Sequence, residues 1–254
     1  MSGIRFISRP EAFELAPAVA AFLADWQRSH FVLEEHLVEE GTEVWIDDEE
    51  GAKALTAEDA AKWNDDIRQD FDAWLDPLDV PAHSAVPQEE IIAEPDCRSM
   101  RGIGGATKRH MSNLAKELGA MELMVMPTVR CSILCQENDH PPVRRATEKL
   151  AATGFDRSDR MVAVGPTETV AKLLGSLFWI ARCNASAPYI LLSMPGAPLT
   201  GILCKYGNIH FTALDRREEM IGALERSGFL LPRDGMCKVR FQSGSGLSGR
   251  KISL

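Results

Sequence analysis

Apolar residues recur along this chain at two different periods. Phe13, Val19, Ala20, Leu23 and Trp26 make one stripe, and Ala60, Trp63, Ile67, Phe71 and Trp74 follow at spacings of 3, 4, 4 and 3. Such spacing predicts amphipathic helices over about 10–27 and 56–74. Pro10 suits a first helical turn, and Pro17 either kinks the first helix or marks its true start. Thr56-Ala57-Glu58-Asp59 approximates a capping box at the head of the second. Residues 4–7 read as a short strand, and 42–56 as a hairpin around an acidic turn. Residues 31–40 fit either helix or strand.

Between 77 and 104 the periodicity dissolves. Pro77, Pro81, Pro87 and Pro95, then Gly102 and Gly104, predict a linker or a long ordered loop. Beyond it, helices are expected over about 107–118, 142–152, 166–182 and 215–226. Gly119, Gly154 and Gly228 stand where three of these end. Strands are expected over 121–126, 128–135, 161–164, 189–194 and 237–242. The sharpest local signal is Gly207-Asn208 between two apolar runs, a two-residue hairpin turn. Pairing across it sets Tyr206 opposite Ile209, Cys204 opposite Phe211 and Ile202 opposite Ala213, with Lys205 and His210 together on the polar face. The pattern predicts an α+β or mixed α/β fold. Its parts are an acidic N-terminal α+β module (1–76), a linker (77–104) and a larger C-terminal α/β module with a mixed sheet (105–254).

Charge sharpens that division. Residues 1–96 hold 24 Asp/Glu against 6 Lys/Arg, whereas residues 97–254 hold 13 against 22, within a net charge of −9. Asp65, Asp66, Asp70, Asp72 and Asp76 give the second helix a negative surface. The first four are the candidate partner-binding face, suited to a protein with a basic surface. The acidic total opposes nonspecific nucleic-acid binding, and no nucleic-acid module is legible, so nucleic acid is not an expected partner.

Two apolar stretches mimic membrane or targeting segments. Residues 183–204 carry no charge, but Pro188, Pro195, Pro198, Gly196 and Gly201 make them unfit for a spanning helix. The run at 15–24 follows Glu11 and Glu14, which suits an amphipathic helix rather than a signal peptide. No membrane association is expected, and the chain reads as soluble and cytoplasmic. The six cysteines form no CxxC pair and read as reduced thiols. Cys131 and Cys135 with His140 do not complete a zinc set, so no metal and no cofactor is expected.

Candidate chemistry is sparse. His210 with Lys205, near Asp215, is the best catalytic candidate, since a carboxylate can orient a histidine base; His140 beside Asp139 is weaker. Arg98, Arg101, Lys108, Arg109 and His110 cluster about Gly102–Gly105, where amides and guanidinium groups could hold an anion. The plain alternative is a solvated basic helix. Thr167 and Thr169, at a strand-to-helix junction, are further anion-binding candidates or ordinary helix caps. Residues 244–251 echo a phosphate-binding loop but lack its Lys-Ser/Thr pair, and a basic tail explains them. The expected function is that of a cytosolic interaction or regulatory protein, of inhibitor, immunity or mimic type. Its acidic surface would engage a basic macromolecule. The alternative is an enzyme or ligand-binding protein that recognises a phosphate ester or nucleotide on the C-terminal module.

Overall fold

A computed structural model describes residues 3–45, 51–78, 90–158 and 161–241. Its strands, in chain order, are β1 (Arg5–Ile7), β2 (Glu43–Trp45), β3 (Ala52–Ala54), β4 (Ile91–Pro95), β5 (Glu122–Pro127), β6 (Val162–Pro166), β7 (Ile190–Ser193), β8 (Leu199–Leu203), β9 (Ile209–Ala213) and β10 (Phe229–Leu230). The helices are α1 (Arg9–Leu15), α2 (Pro17–His30), α3 (Ala57–Trp74), α4 (Met100–Glu117), α5 (Pro141–Ala151), α6 (Thr167–Val170), α7 (Leu174–Cys183) and α8 (Arg217–Arg226). The class is mixed α+β. Eight strands form one sheet in the order β1-β6-β5-β7-β8-β9-β4-β10, and β2 and β3 pair separately.

The sequence pattern predicts a mixed sheet in the later half, yet the pairings in the large sheet are antiparallel. Its middle strands are apolar at successive positions because both of their faces are covered. Leu123, Val125, Ala163, Ile190 and Leu192 belong to the core shared with α4, α5, α7 and α8. The alternate residues Met124, Met126, Val162, Val164 and Leu191 pack under Ala12, Val19 and Leu23 of the first two helices and Ala16 between them. Period-two alternation here sorts residues between two cores rather than between core and water.

The expected modules of 1–76 and 105–254 are therefore not separate bodies. β1 pairs with β6, and α1 and α2 complete the second core. The expected linker, 77–104, contains β4, which lies between β9 and β10, and the start of α4. A buried ion pair joins these parts. Arg9 donates from Nε to Asp76 Oδ1 at 2.7 Å and from Nη1 to the Pro127 carbonyl at 2.7 Å. Gln27 Nε2 bridges Asp76 and the Thr128 carbonyl. Asp76 thus belongs to the interior and not to the acidic surface of α3.

Local signals hold where capping or proline dictates the backbone. The Thr56 hydroxyl accepts from Asp59 N, and Asp59 returns the bond, so the box opens α3 as its residues require. Pro17 begins α2, and Ala16 separates it from α1. Residues 33–35 make one turn of 3₁₀ helix. The strand expected over 128–135 is a loop, its backbone tied to Tyr189 and Trp74. The strand expected over 237–242 is irregular as far as residue 241, and β10 occupies the sheet edge instead. The acidic hairpin turn and the 244–251 segment lie largely or wholly outside the described residues.

Two glycine effects reshape the predicted elements. α4 starts at Met100 and passes through the glycines expected to break the chain. Gly104 faces Gly175 of α7 so closely that a Cβ there would lie 3.0 Å from the Gly175 Cα. Small residues are what this helix crossing demands. In the β8–β9 hairpin, Gly207 adopts φ +93°, Gly207 N donates to the Cys204 carbonyl, and Cys204 N donates to the Asn208 carbonyl. That is a three-residue loop with a left-handed glycine, not the two-residue turn expected. The register becomes Leu203 with Ile209 and Ile202 with His210. Lys205 moves into the loop, and His210 joins the face of Ile202 and Ile92.

Candidate functional site

α4, α5 and α7 enclose an open cavity of about 1120 Å³. Arg98, Arg101, Lys108, Arg145, Lys149 and Lys172 line it, and among the described residues no Asp or Glu does. Two helices begin at this cavity. Ser99 precedes α4 and His140 precedes α5, and neither side chain caps its helix. The first-turn amides of α4 therefore add their partial positive charge to that of the side chains. α5 opens on Pro141-Pro142, which removes two of its donors. Trp179 and Phe241 supply aromatic faces, Ile103 an apolar floor, and Ser99 and Ser176 hydroxyls. His140 lies beside Trp179, with ring centroids 6.0 Å apart, and its Nε2 is shielded without a partner among the described residues.

Of the basic cluster expected near the glycines, Arg98, Arg101 and Lys108 reach this cavity, and His140 joins them. Arg109 and His110 do not line it. His110 is buried; its Nδ1 lies 2.9 Å from the Ser227 carbonyl and its Nε2 3.3 Å from Asp96 N. Burial holds its pKa below the ordinary histidine value, against the raising effect of the Ser227 bond. The ring donates from Nδ1 as a neutral structural group. Thr167 and Thr169 sit in the four-residue helix α6, away from the cavity lining. Arg145, Lys149 and Lys172 were not legible as members, because two further segments bring them in.

A second constellation lies across the β8–β9 hairpin. His210 Nδ1 is 2.9 Å from Glu90 Oε2. Its Nε2 is 3.1 Å from Cys237 Sγ, which in turn lies 3.6 Å from Cys204 Sγ. Asn208, fully buried, donates from Nδ2 to Cys237 Sγ at 3.2 Å. Burial opposes protonation of His210, but Cys237 and Glu90 together raise its pKa to about 9. The Cys204 bond, with those from His210 and Asn208, lowers Cys237 to about 4 against the effect of burial.

The shifted hairpin register is what builds this cluster. His210 takes its orienting carboxylate from Glu90, next to β4, and not from Asp215, which accepts from Arg216 N. Lys205 lies over the Tyr206 ring at 5.4 Å and is no partner of His210. The sequence offers no cysteine–histidine set, since Cys131, Cys135 and His140 do not complete one; the fold brings Cys204, His210 and Cys237 together. On α3, Asp65, Asp66, Asp70 and Asp72 are all exposed, and Asp65 pairs with Arg68 of its own helix at 3.0 Å. Among the described residues no helix is long and apolar enough to cross a membrane. No protein-family model, curated protein or solved structure matches the chain.

Proposed function

We propose that the protein binds a phosphate-bearing small molecule of the nucleotide or sugar-phosphate class in the cavity between α4, α5 and α7. One observation carries this reading: six cationic side chains and an uncapped helix N-terminus surround a space that no carboxylate of the described residues lines. Lys108 has Glu168 at 3.8 Å; without a bound anion the other charges repel one another, and among the described residues no side chain caps the first turn of α4. Trp179 and Phe241 suit a ligand with a ring to stack beside its phosphates.

The test is thermal denaturation with nucleotides, sugar phosphates and inorganic phosphate. A ligand at a hundredfold excess over its Kd contributes about 2.7 kcal/mol, which raises Tm by roughly 5–10 °C in a chain of this size. Arg101→Glu combined with Arg145→Glu should abolish the shift. A flat screen, or a shift that survives both reversals, overturns the reading.

The exposed face of α3 supports a second reading, association with a basic macromolecule. Only Ala60 and Phe71 of this helix are buried, and its carboxylates are spread over the solvent side. Replacing Asp65, Asp66, Asp70 and Asp72 with Asn should weaken capture of a basic partner such as a polylysine-coated surface at low salt. The wild-type interaction should fade as ionic strength approaches 0.15 M, where the screening length is about 8 Å. Retention indifferent to salt or to the four changes would refute the electrostatic mode.

A further inference from the structure

We infer that Cys204, His210 and Cys237 bind a zinc ion. The inference stands apart from the ligand reading of the cavity, because none of the three residues lines it. Three observations carry it. The first is convergence: a residue following β8, a residue in β9 and a residue after β10 place their donor atoms within 4.8 Å of one another. Two sulfurs and one imidazole nitrogen form a borderline-soft set, which suits zinc better than magnesium or calcium. Tetrahedral zinc, with bonds of about 2.3 Å to sulfur and 2.0–2.1 Å to nitrogen, sets such donors roughly 3.5–3.8 Å apart. The two sulfurs already stand at 3.6 Å. His210 Nε2, at 3.1 Å from Cys237 Sγ, needs to withdraw by a few tenths of an ångström.

The second observation is the orientation of the histidine. Nδ1 is held by Glu90 at 2.9 Å, which leaves Nε2 pointing at the sulfurs. A carboxylate behind the histidine fixes the tautomer with Nε2 unprotonated and strengthens the nitrogen as a ligand. The third is Asn208. Its Nδ2 donates to Cys237 Sγ, as amides do to metal-bound thiolates, while its fully buried Oδ1 has no partner among the described residues. A water in the fourth coordination position is a donor of the kind that orphaned oxygen lacks. Three protein donors leave that position for water.

The location gives the ion a task. After β10 the chain runs without regular structure as far as Phe241, which forms part of the cavity wall. Cys237 is one link to the hairpin, beside the bonds from Asn208 Nδ2 to the Lys238 carbonyl and from Arg240 to the carbonyls of Tyr206 and Gly207; Arg240 also donates to the carbonyls of Pro95 and Cys97. Zinc cross-links the segment to the β8–β9 hairpin.

The test is zinc content of the full chain, purified without a polyhistidine tag, loaded with zinc and dialysed. The result expected is one zinc per chain, lost in Cys204→Ser, Cys237→Ser and His210→Ala and retained in Cys135→Ser. Glu90→Gln should weaken zinc binding by about 10–100-fold, the effect of losing an outer partner of a ligating histidine. If the ligand variants do not fold, the wild-type chain loaded with cobalt(II) serves instead. It should then show thiolate-to-cobalt charge-transfer absorption and the intense visible bands of tetrahedral coordination. Zinc absent from the loaded wild-type chain, zinc unaffected by Cys237→Ser, or a Cys204–Cys237 disulfide in freshly purified protein overturns the inference.

Discussion

Asp76→Ala should lower the unfolding free energy by about 3–5 kcal/mol, a large share of what holds a chain of this size folded. The reason is what the substitution leaves behind. The Arg9 and Asp76 side chains are 6% and 3% exposed, so the Arg9 guanidinium would stay buried without its counter-charge. It cannot shed its proton to escape. Its remaining bonds to the carbonyls of Pro127 and Val129 satisfy hydrogens but not the charge. Gln27 loses a partner as well. Removing both charges in Arg9→Met with Asp76→Leu should recover most of the loss, since apolar replacement of a buried pair is often neutral. Urea titration of the three proteins reads the outcome. A loss below about 1 kcal/mol for Asp76→Ala would place the pair among surface bridges, whose effect is of that order.

The second expected result sets two neighbouring glycines against each other. Gly175→Val should destabilise the protein by about 2–3 kcal/mol, because overpacking a tight crossing forces the helices apart. A Cβ at Gly175 would lie 2.9 Å from the Gly104 Cα, and both residues line the cavity. Separation of α4 from α7 should therefore also weaken whatever the cavity binds. Gly105→Ala, one position along α4, has open space around its Cβ. It should stabilise by about 0.5–1 kcal/mol through helix propensity alone. Thermal melts of the two variants check this directly; shifts of the same sign would contradict the packing account.

How much of this was legible in the sequence depends on the range of the cause. Thr56, Asp59 and Pro17 act on their own turn of backbone, and α3 and the α1–α2 break follow from them. The hairpin at 199–213 was legible in kind but not in register. Gly precedes Asn there, and the left-handed glycine closes a three-residue loop, which shifts the pairing by an odd number and exchanges the faces. That exchange moved His210 away from Lys205. The linker reading failed because glycines in α4 answer a helix 70 residues away, which no local rule detects.

The sites divide in the same way. Arg98, Arg101 and Lys108 stand close in sequence around the start of α4 and could be read as a basic cluster. Arg145 and Lys149 join them only through the packing of α5, and Lys172 from the 3₁₀ turn that precedes α7. Cys204 and His210 flank a visible turn, which was a usable signal. Cys237 lies 27 residues beyond His210, in a stretch that reads as a strand, and nothing local marks it as their neighbour. The charge split was real as composition but misleading as anatomy, since β1 joins the sheet of the later half and α1 and α2 cover one of its faces.

The place of β4 has a consequence for how the chain is made. Ile91 pairs with Phe211, and Pro95 with Phe229, so this strand leaves the ribosome well before either neighbour exists. At about 5–20 residues per second, the 120 residues from Ile91 to Phe211 take roughly 6–24 s to synthesise. Throughout that interval an apolar strand with two bare edges waits in the nascent polypeptide, and chaperone shielding during translation becomes a condition of yield.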